Sequence, residues 1–332
     1  MRKALRWIAA GLAVALIAFV GVACGDDDDS AATTGAANGD TKVAMLLFSR
    51  GFEFMVALDQ GAQKEASSLG IDMVVLDGQG DSATQISQIE DQIAAGVDGF
   101  IISPNNSEEI VPGIEAANDA GIPVVTVDAI AAAGEVAGHV GFDNEAAGAV
   151  AAQELARLVG DKGDVLELTG AQGAYHAVRR GGGFNEAMTS DHPNVNVITR
   201  DAEWNADNAL SLTVDNFTAN QDIKGVFTHN DEMVRGVVSG LSQVGHGALA
   251  GEDGHIAVVG VDGTPLALER IRSGEQDATV QQDPFEMGAL AVSAIDSAMK
   301  GESVEEEQLL EPLLVTRENV DDPELWGNRF EG

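Results

Sequence analysis

From residue 41 onward, short apolar runs alternate with amphipathic stretches. The apolar runs are nearly continuous, which is typical of strands covered on both faces of a parallel sheet. In the first part of the chain they are KVAMLLF (42–48), DMVVLD (72–77), GFIIS (99–103) and IPVVTVD (122–128). Helical spacing occurs between them, near residues 53–69, 83–95 and 107–120. This β-α-β-α order predicts a parallel sheet with right-handed crossovers.

Local signals fix the ends of these helices. Ser107 is predicted to be an N-cap, with Glu108 and Glu109 in the first turn, where the helix dipole favours carboxylates. Gly70 and Gly121 follow the last helical residues, where a left-handed backbone conformation is required.

A second series of the same kind begins near residue 143. Its predicted helices cover residues 144–159, 176–189, 206–219, 231–244, 265–273 and 285–299. Its predicted strands cover residues 164–170, 194–201, 223–229, 255–262, 277–283 and a last segment near 309–316. Two successive βα arrays without a Pro- or Ser-rich linker predict an α/β fold with two doubly wound lobes and short crossings between them.

The N-terminus has the pattern of a secretory signal. Arg2, Lys3 and Arg6 precede the apolar run WIAAGLAVALIAFVGVA (7–23), which ends in small residues. We therefore expect residues 1–23 to be a signal peptide.

The chain has one cysteine, Cys24, directly after this segment. A lone cysteine cannot form an internal disulfide. GVAC (21–24) resembles the lipobox of bacterial lipoproteins, in which this cysteine is lipidated, although Gly21 stands where Leu is usual. A thiol within an uncleaved anchor is the alternative. Residues 24–40 are acidic, small and polar, and are expected to be a flexible tether.

Composition narrows the function further. Of 332 residues 45% are hydrophobic, 54 are acidic and 18 are basic, and the formal charge is −36. Such a surface repels phosphate backbones, so we expect no nucleic-acid partner.

Polar residues gather at the predicted carboxyl ends of the strands, where open parallel sheets bind ligands. They are Ser49, Arg50, Asp77, Ser103, Asn105, Asp128, Asn230, Asp262 and Gln282, with Arg179 and Arg180 at a helix entry and Phe54 and Trp204 as nearby aromatic rings. Carboxylates, amides, a guanidinium and flat rings suit a polyhydroxylated ligand. Taken singly, each Asp or Asn has an alternative role as a helix cap or turn former.

Four stretches carry a family resemblance: GAQKEASSLGIDMVVLDGQGD (61–81), VFTHNDEM (226–233), VVGVDGTP (258–265) and ATVQQDP (278–284). They resemble the ribose-binding-protein branch of the periplasmic sugar-binding proteins, the solute receptors of ABC importers. The resemblance implies two lobes joined by three hinge crossings that close on a sugar. The lobes are then residues 41–142 plus 283–311 and residues 143–282 plus 312–332.

The resemblance also implies which residues contact the ligand. Ring stacking falls on Phe54 and Trp204, and hydroxyl binding on Asp128, Arg180, Asn230, Asp262 and Gln282. The chain departs from the pattern at Phe52, Met55, Ser103 and Ala129. Because these changes remove hydroxyl-binding groups and one stacking ring, we expect a ligand other than ribose. A furanosyl signalling molecule or a nucleoside stays an alternative ligand class.

Signs of enzymatic chemistry are few. The sequence has no G-x-S-x-G or G-x-x-x-x-G-K-[ST] motif, and its six histidines are scattered. His246 and His255 lie in a Gly-rich loop that we expect to be exposed. His229, Asp231 and Glu232 are close in sequence, but adjacent residues on one strand–helix turn are a poor zinc site. Asp231 and Glu232 are better explained by helix capping and the helix dipole, and the role of His229 stays open.

The sequence therefore predicts an extracytoplasmic binding lipoprotein, anchored through Cys24, that delivers a monosaccharide or polyol to an ABC permease. We expect a monomer without metal or cofactor. A repressor with the same core would need an N-terminal DNA-binding domain in place of the signal and tether. An extracellular sugar-modifying enzyme is a further alternative.

Overall fold

The computed structural model describes residues 41–331, so the predicted signal peptide, Cys24 and the whole of the predicted tether lie outside the described residues. The strands of the described part are β1 Lys42–Leu47, β2 Asp72–Asp77, β3 Gly99–Ile102, β4 Val124–Val127, β5 Gly138–Phe142, β6 Gly163–Thr169, β7 Val195–Asp201, β8 Ile223–Thr228, β9 Ala257–Asp262, β10 Ala278–Gln281, β11 Glu307–Leu310 and β12 Leu313–Thr316.

The helices lie between these strands. They are α1 Glu53–Leu69, α2 Ser82–Ala95, α3 Val111–Asp119, α4 Asn144–Val159, α5 Tyr175–Asp191, α6 Ala206–Ala219, α7 Asp231–Gln243, α8 Pro265–Ser273, α9 Pro284–Met299 and α10 Trp326–Arg329. Within residues 41–331, none of these helices combines the length and the apolar character that a membrane crossing requires.

Two six-stranded sheets organise the fold. The first has the strand order β11-β5-β4-β3-β1-β2, and the second has the order β12-β10-β9-β8-β6-β7. All neighbouring strands are parallel except β12, which pairs antiparallel with β10. The α/β fold with two doubly wound sheets is thereby confirmed.

The chain passes between the two sheets three times. It leaves the first sheet after β5, returns after β10, and crosses again between β11 and β12. Helix α4 packs on strands of the second sheet, whereas α9 packs against α1 and on strands of the first. The third passage is adjacent to the other two at its ends, because β11 pairs with β5 and β12 pairs with β10.

Two strand predictions were wrong. Strand β5 was missed, because the segment GHVGF contains two glycines and lacks the run of branched residues that marks the other strands. The single strand predicted near 309–316 is instead two strands in different sheets, separated by Glu311 and Pro312. Proline cannot donate a ladder hydrogen bond, and the chain changes sheets at this point.

The N-terminus of α3 also differs from its prediction. Ser107 does not cap the helix, which begins only after Ile110. The side chain of Asn106 instead accepts hydrogen bonds from the backbone N–H groups of Glu108 and Glu109, at 2.9 and 3.0 Å. The preceding turn is therefore capped by Asn106, one residue before the predicted cap.

The Gly-rich loop was expected to expose both of its histidines, and this was wrong. His255 is largely buried, and its Nε2 lies 2.9 Å from Oδ2 of Asp277. His246 is partly buried, and its ring lies 5.5 Å from the ring of Phe217. His255 therefore holds the loop against Asp277, just before β10, and His246 packs the loop against α6.

Candidate functional site

Several predicted site residues lie where strands end, and they have unusual backbone conformations. Asp128 follows β4, Asp262 ends β9, and Trp204 lies beyond β7. All three are non-glycine residues with positive φ, at 65°, 122° and 60° respectively. Such conformations cost about 1–3 kcal/mol each and concentrate at functional sites.

A cluster of charged and amide groups lies at the carboxyl ends of β9 and β10. Nε2 of Gln282 donates to Oδ1 of Asp262 over 2.7 Å. Nη1 of Arg180, which projects from α5, lies 3.9 Å from the same carboxylate oxygen. The structure therefore brings together three residues that are far apart in the sequence, and we name them the Arg180–Asp262–Gln282 cluster.

The guanidinium of Arg180 is buried and fixed from behind. Its Nε donates to Oδ1 of Asn144 over 2.8 Å, and its Nη1 donates to the backbone carbonyl of His229. Asn144 is oriented in turn by donating to the carbonyl of Phe142 over 3.0 Å. Burial lowers the pKa of Arg180, although Asp262 and Asp128 act in the opposite direction. Two of its three nitrogens are thus held by the protein, and Nη2 has no hydrogen-bond partner within residues 41–331.

Asp262 is the least compensated charge of the cluster. Burial raises its pKa to about 7, and Arg180 offsets only part of that effect. Oε1 of Gln282, its neighbour, is buried and has no hydrogen-bond partner among the described residues. A carboxylate and an amide oxygen in this state are both able to accept hydrogen bonds from ligand hydroxyl groups.

The ring of Trp204 lies next to this cluster. It is 5.9 Å from the guanidinium carbon of Arg180 and 6.2 Å from the ring of His229. The ring also presses against Gly170, where an added Cβ would lie 2.0 Å from ring atoms. Close contact with the backbone of Gly170 therefore fixes the position of this aromatic ring.

Asp128, which follows β4, is contacted by a histidine of α5. Nε2 of His176, in the first turn of α5, lies 3.3 Å from Oδ1 and 3.2 Å from the carbonyl oxygen of Asp128. The ring of His176 also packs edge-on against Trp204, with 6.4 Å between centroids. Sequence reasoning missed His176 and Asn144. The signal for His176 was its place four residues before Arg180, one helical turn away on the same face.

In VFTHNDEM, the capping role belongs to Asn230. Its Oδ1 accepts from the backbone N–H of Met233 over 3.0 Å, which leaves its amide N–H groups able to donate to a ligand. Asp231 and Glu232 lie in the first turn of α7, where the helix dipole favours them as predicted, but Asp231 does not cap the helix. Its buried carboxylate accepts from the N–H groups of Gly263 and Thr264, at 2.8 and 3.0 Å. Burial raises the pKa of Asp231 to about 6.

His229 is a buried structural residue. Its Nε2 lies 3.1 Å from Oε1 of Glu167, and both side chains are fully enclosed. Thr199 and Asn185 also donate to Glu167, at 2.7 and 3.0 Å. Burial lowers the pKa of His229. The pair lies behind the site, because the carbonyl of His229 holds Arg180 and its ring contacts Trp204.

The residues predicted from the first lobe have fewer polar contacts. Phe52 is 39% exposed and its ring lies 5.4 Å from the ring of Phe48. Phe54, Met55 and Ser103 are buried. Within residues 41–331, no hydrogen bond or ion pair joins Phe52, Met55 or Ser103 to the Arg180–Asp262–Gln282 cluster. Their role as ligand contacts stays a prediction.

The charges of the site limit the chemistry of its ligand. Two carboxylates, Asp128 and Asp262, face one guanidinium, Arg180, so the site has no excess positive charge for an anion. Hydroxyl groups can both donate to the carboxylates and accept from Arg180 and Asn230. The arrangement therefore suits a neutral polyhydroxylated molecule.

A separate groove of about 580 Å³ lies outside this site. It is bordered by α4, α5 and Leu309, and its lining includes Asp143, Glu145 and Arg179. It contains none of the residues of the Arg180–Asp262–Gln282 cluster.

The chain is similar to known binding proteins over most of its length. The model of a family described as "Periplasmic binding protein domain" matches residues 43–303. The ribose import binding protein of Escherichia coli K12 is 32% identical over 289 residues, which are 87% of this chain and 95% of that protein. The xylitol-binding protein of Mycolicibacterium smegmatis is 30% identical over 302 residues, 90% of this chain and 82% of that protein.

A solved structure shows the same similarity in three dimensions. It is an ABC transporter periplasmic solute binding protein from Actinobacillus succinogenes with bound D-allose. The TM-score is 0.79 at 28% sequence identity, and the match covers 85% of this chain and all of that chain, 100%.

Proposed function

This chain belongs to the periplasmic binding protein domain family, and we propose that it captures a neutral monosaccharide or related polyol outside the cytoplasm for delivery to an ABC importer. The relatives are transport binding proteins that are named for ribose, xylitol and allose. We infer that this chain likewise binds and releases its ligand without transforming it.

The observation that carries this proposal is the Arg180–Asp262–Gln282 cluster. A fixed guanidinium, a carboxylate with a raised pKa and an unpartnered amide oxygen converge at the ends of adjacent strands. Each keeps donor or acceptor positions that the protein does not use, and together they fit vicinal hydroxyl groups. Trp204 beside them supplies the flat apolar surface that covers the C–H face of a sugar ring.

Hinge closure is the proposed mechanism of capture. We infer two lobes, residues 41–142 plus 283–311 and residues 143–282 plus 312–332, and the three passages between the sheets support this division. Asp128 then belongs to one lobe, and Arg180, Trp204, Asn230 and Asp262 to the other. A ligand that contacts both sets favours the closed arrangement, which the permease recognises.

Calorimetric titration tests the ligand class. The panel is D-ribose, D-allose, D-arabinose, xylitol and myo-inositol, with ribose 5-phosphate and D-galacturonate as anionic controls. We expect binding within the neutral group and none in the anionic group, because the carboxylates repel an anion. Tight binding of either anion would contradict the proposed selectivity, and consumption of a bound sugar by the pure protein would establish an enzyme instead.

We further propose that the mature protein is a monomer anchored to the outer face of a membrane through lipid on Cys24. The support is the sequence GVAC and the acidic segment that follows it. Metabolic labelling with a fatty-acid analogue should modify the protein, and Cys24→Ala should abolish the label. An unlabelled wild-type protein that stays in the membrane fraction would point to an uncleaved anchor.

A further inference from the structure

The chain continues beyond β12 into a short segment that packs behind the candidate site. We name Leu325–Phe330, which includes α10, the C-terminal strap. Trp326, the second residue of the strap, is fully buried, and Leu325 is nearly so. The segment belongs to neither sheet, yet it contains one of the largest fully enclosed side chains of the described residues. Its position therefore needs an explanation other than strand pairing.

The strap is bonded to the second sheet at the ligand site itself. Nε1 of Trp326 donates to the carbonyl oxygen of Asp262 over 2.7 Å. The backbone N–H of Trp326 donates to Oε1 of Gln281 over 3.2 Å. One side chain of the strap thus holds the backbone of Asp262, and its main chain holds the residue before Gln282.

Arg272, in α8, forms hydrogen bonds with the C-terminal half of the strap and with the segment that precedes it. Its Nη2 donates to Oδ1 of Asn328 over 2.8 Å, and its Nε donates to Oδ1 of Asp321 over 2.7 Å. Nδ2 of Asn328 donates to the carbonyl of Val320 over 2.9 Å. These contacts hold the strap against α8 and the segment after β12, and none of them involves Trp326.

The strap also reaches elements of the first sheet. The ring of Phe54, in α1, meets the ring of Trp326 edge-on, with centroids 6.4 Å apart and planes at 85°. Arg329 pairs with Asp283, the N-cap of α9, and its guanidinium lies 5.2 Å from the centre of the Phe285 ring. Helices α1 and α9 pack on each other and on the first sheet. Beside the β10–α9 passage, the strap therefore contacts strands of the second sheet and helices that pack on the first sheet.

We propose that Trp326 is a positioning residue of the ligand site, which orients Asp262 and Phe54 together and makes the site depend on docking of the C-terminal strap. Asp262 has φ of 122°, a conformation that needs support from its surroundings. The hydrogen bond from Trp326 to its carbonyl supplies that support, and the carboxylate projects from the same residue. The same indole is the contact surface of Phe54, so one side chain links a residue of α1, which packs on the first sheet, with a residue of β9 in the second.

The proposal rests on the proposed function and is distinguished from it by comparing affinity with stability. If Trp326 only fills space in the core, its substitution should lower the melting temperature and leave the affinity for the ligand unchanged. A positioning residue changes affinity in protein that is still folded at the measuring temperature. The matched control is Phe217→Leu, because Phe217 is a buried aromatic residue of α6 that belongs to a different apolar cluster from Trp326 and Phe54.

The experiment uses the full chain and takes as its probe the tightest binder among D-ribose, D-allose, D-arabinose, xylitol and myo-inositol. Trp326→Phe keeps an aromatic ring against Phe54 and loses the donor to Asp262, so we expect about a fivefold weaker Kd, as for one lost hydrogen bond. Trp326→Ala loses both contacts and should weaken binding more than tenfold. Phe217→Leu should lower the melting temperature and leave Kd within about twofold. Equal Kd values for the wild type and both Trp326 variants would overturn the proposal.

Hydrogen–deuterium exchange provides a readout that needs no ligand. Trp326→Ala should speed exchange in two segments that are distant in sequence, residues 52–58 and 261–264, whereas Phe217→Leu should affect neither. If no sugar of the panel binds but both segments respond, the assigned ligand class fails and the linkage through Trp326 is supported. If neither segment responds, the linkage is wrong, whatever the panel binds.

Discussion

Nε2 of His176 lies 3.3 Å from Oδ1 of Asp128 and 3.2 Å from its carbonyl oxygen, so one imidazole joins the start of α5 to the end of β4. Asp128 follows β4 of the first sheet, whereas α5 packs against β7 of the second. Charged or titratable groups near the pair include Tyr175, Arg180, His139 and Asp262. His176 is therefore a direct polar link between elements of the two sheets.

His176→Ala should weaken ligand binding by about tenfold, because it removes the hydrogen bond that the imidazole donates to the carbonyl oxygen of Asp128, a residue of the candidate site. Calorimetry with the tightest binder of the sugar panel measures the change, and His176→Gln, which keeps a donor, should recover part of it. The control is His192→Ala, which breaks another His–Asp pair, 2.8 Å from Asp161, away from the site. Equal losses in His176→Ala and His192→Ala would show that the link has no special role in binding.

Arg180 and Arg179 form a natural comparison on one helix. Arg180 is buried against Asn144, His229 and Asp262, whereas Arg179 is about half exposed and lies 3.5 Å from Glu145. Arg180→Lys keeps the charge but loses the fixed fork of donors, and we expect at least about a hundredfold loss of affinity. Arg179→Lys should change affinity less than twofold, since an exposed ion pair contributes little.

Titration calorimetry and thermal unfolding of both variants separate binding from folding. Arg180→Lys should also lower the melting temperature, because two buried hydrogen-bond acceptors lose their donor. A tight complex in Arg180→Lys would mean that the guanidinium is a structural group and that the ligand contacts lie elsewhere.

Gly170 limits the position of Trp204. Because an added Cβ would lie 2.0 Å from the indole, Gly170→Ala must displace the ring. We expect about a tenfold loss of affinity, together with a shift in tryptophan emission when the ligand is added.

The control for Gly170→Ala is Gly182→Ala. Gly182 lies within α5, and a Cβ there would meet nothing within 4 Å. This substitution should stabilise the fold by about 0.5–1 kcal/mol, the usual preference for Ala over Gly in a helix, and leave affinity unchanged. Unchanged affinity in Gly170→Ala would mean that Trp204 does not contact the ligand.

The α/β order and most element bounds could be predicted because buried parallel strands have a distinctive pattern. Strand β5 escaped prediction because tertiary packing, rather than the local pattern of GHVGF, makes it a strand. The split between β11 and β12 was equally invisible, since an apolar run does not reveal which sheet each half joins.

The sequence predicted the candidate-site residues that lie at strand ends, but it did not predict the side chains that contact them. Asp128, Asp262 and Gln282 follow apolar runs, so the general rule for parallel sheets identified them. His176 and Trp326 have no such marker, because their importance comes from contacts with residues 48 and 64 positions away. The buried acceptor role of Asp231 depends likewise on the turn after β9, which is distant in sequence.

The raised pKa of Asp262 predicts a pH-dependent cost to stability. Its pKa is about 7 in the folded protein, against an ordinary value of 3.8 for this carboxyl group. Folding therefore favours the protonated form. The stability associated with this proton is fully present below about pH 4 and is lost as pH rises to about 7. Asp262→Asn removes this cost and keeps an oxygen that can accept from Gln282, so the ligand-free variant should be more stable than wild type at pH 8.

The stabilisation should be about 1–3 kcal/mol at pH 8, which is several degrees in Tm, and should shrink steadily towards pH 4. Thermal unfolding of wild type and variant between pH 4 and pH 8, without ligand, measures the difference. Asp207→Asn, at an exposed position of α6, should show no such trend. The affinity of Asp262→Asn for the ligand should be lower than that of the wild type, because an Asn side chain accepts a hydrogen bond from a ligand hydroxyl less strongly than a carboxylate does. A variant that is less stable than wild type at pH 8 would show that Arg180 fully compensates the charge of Asp262 in the folded protein.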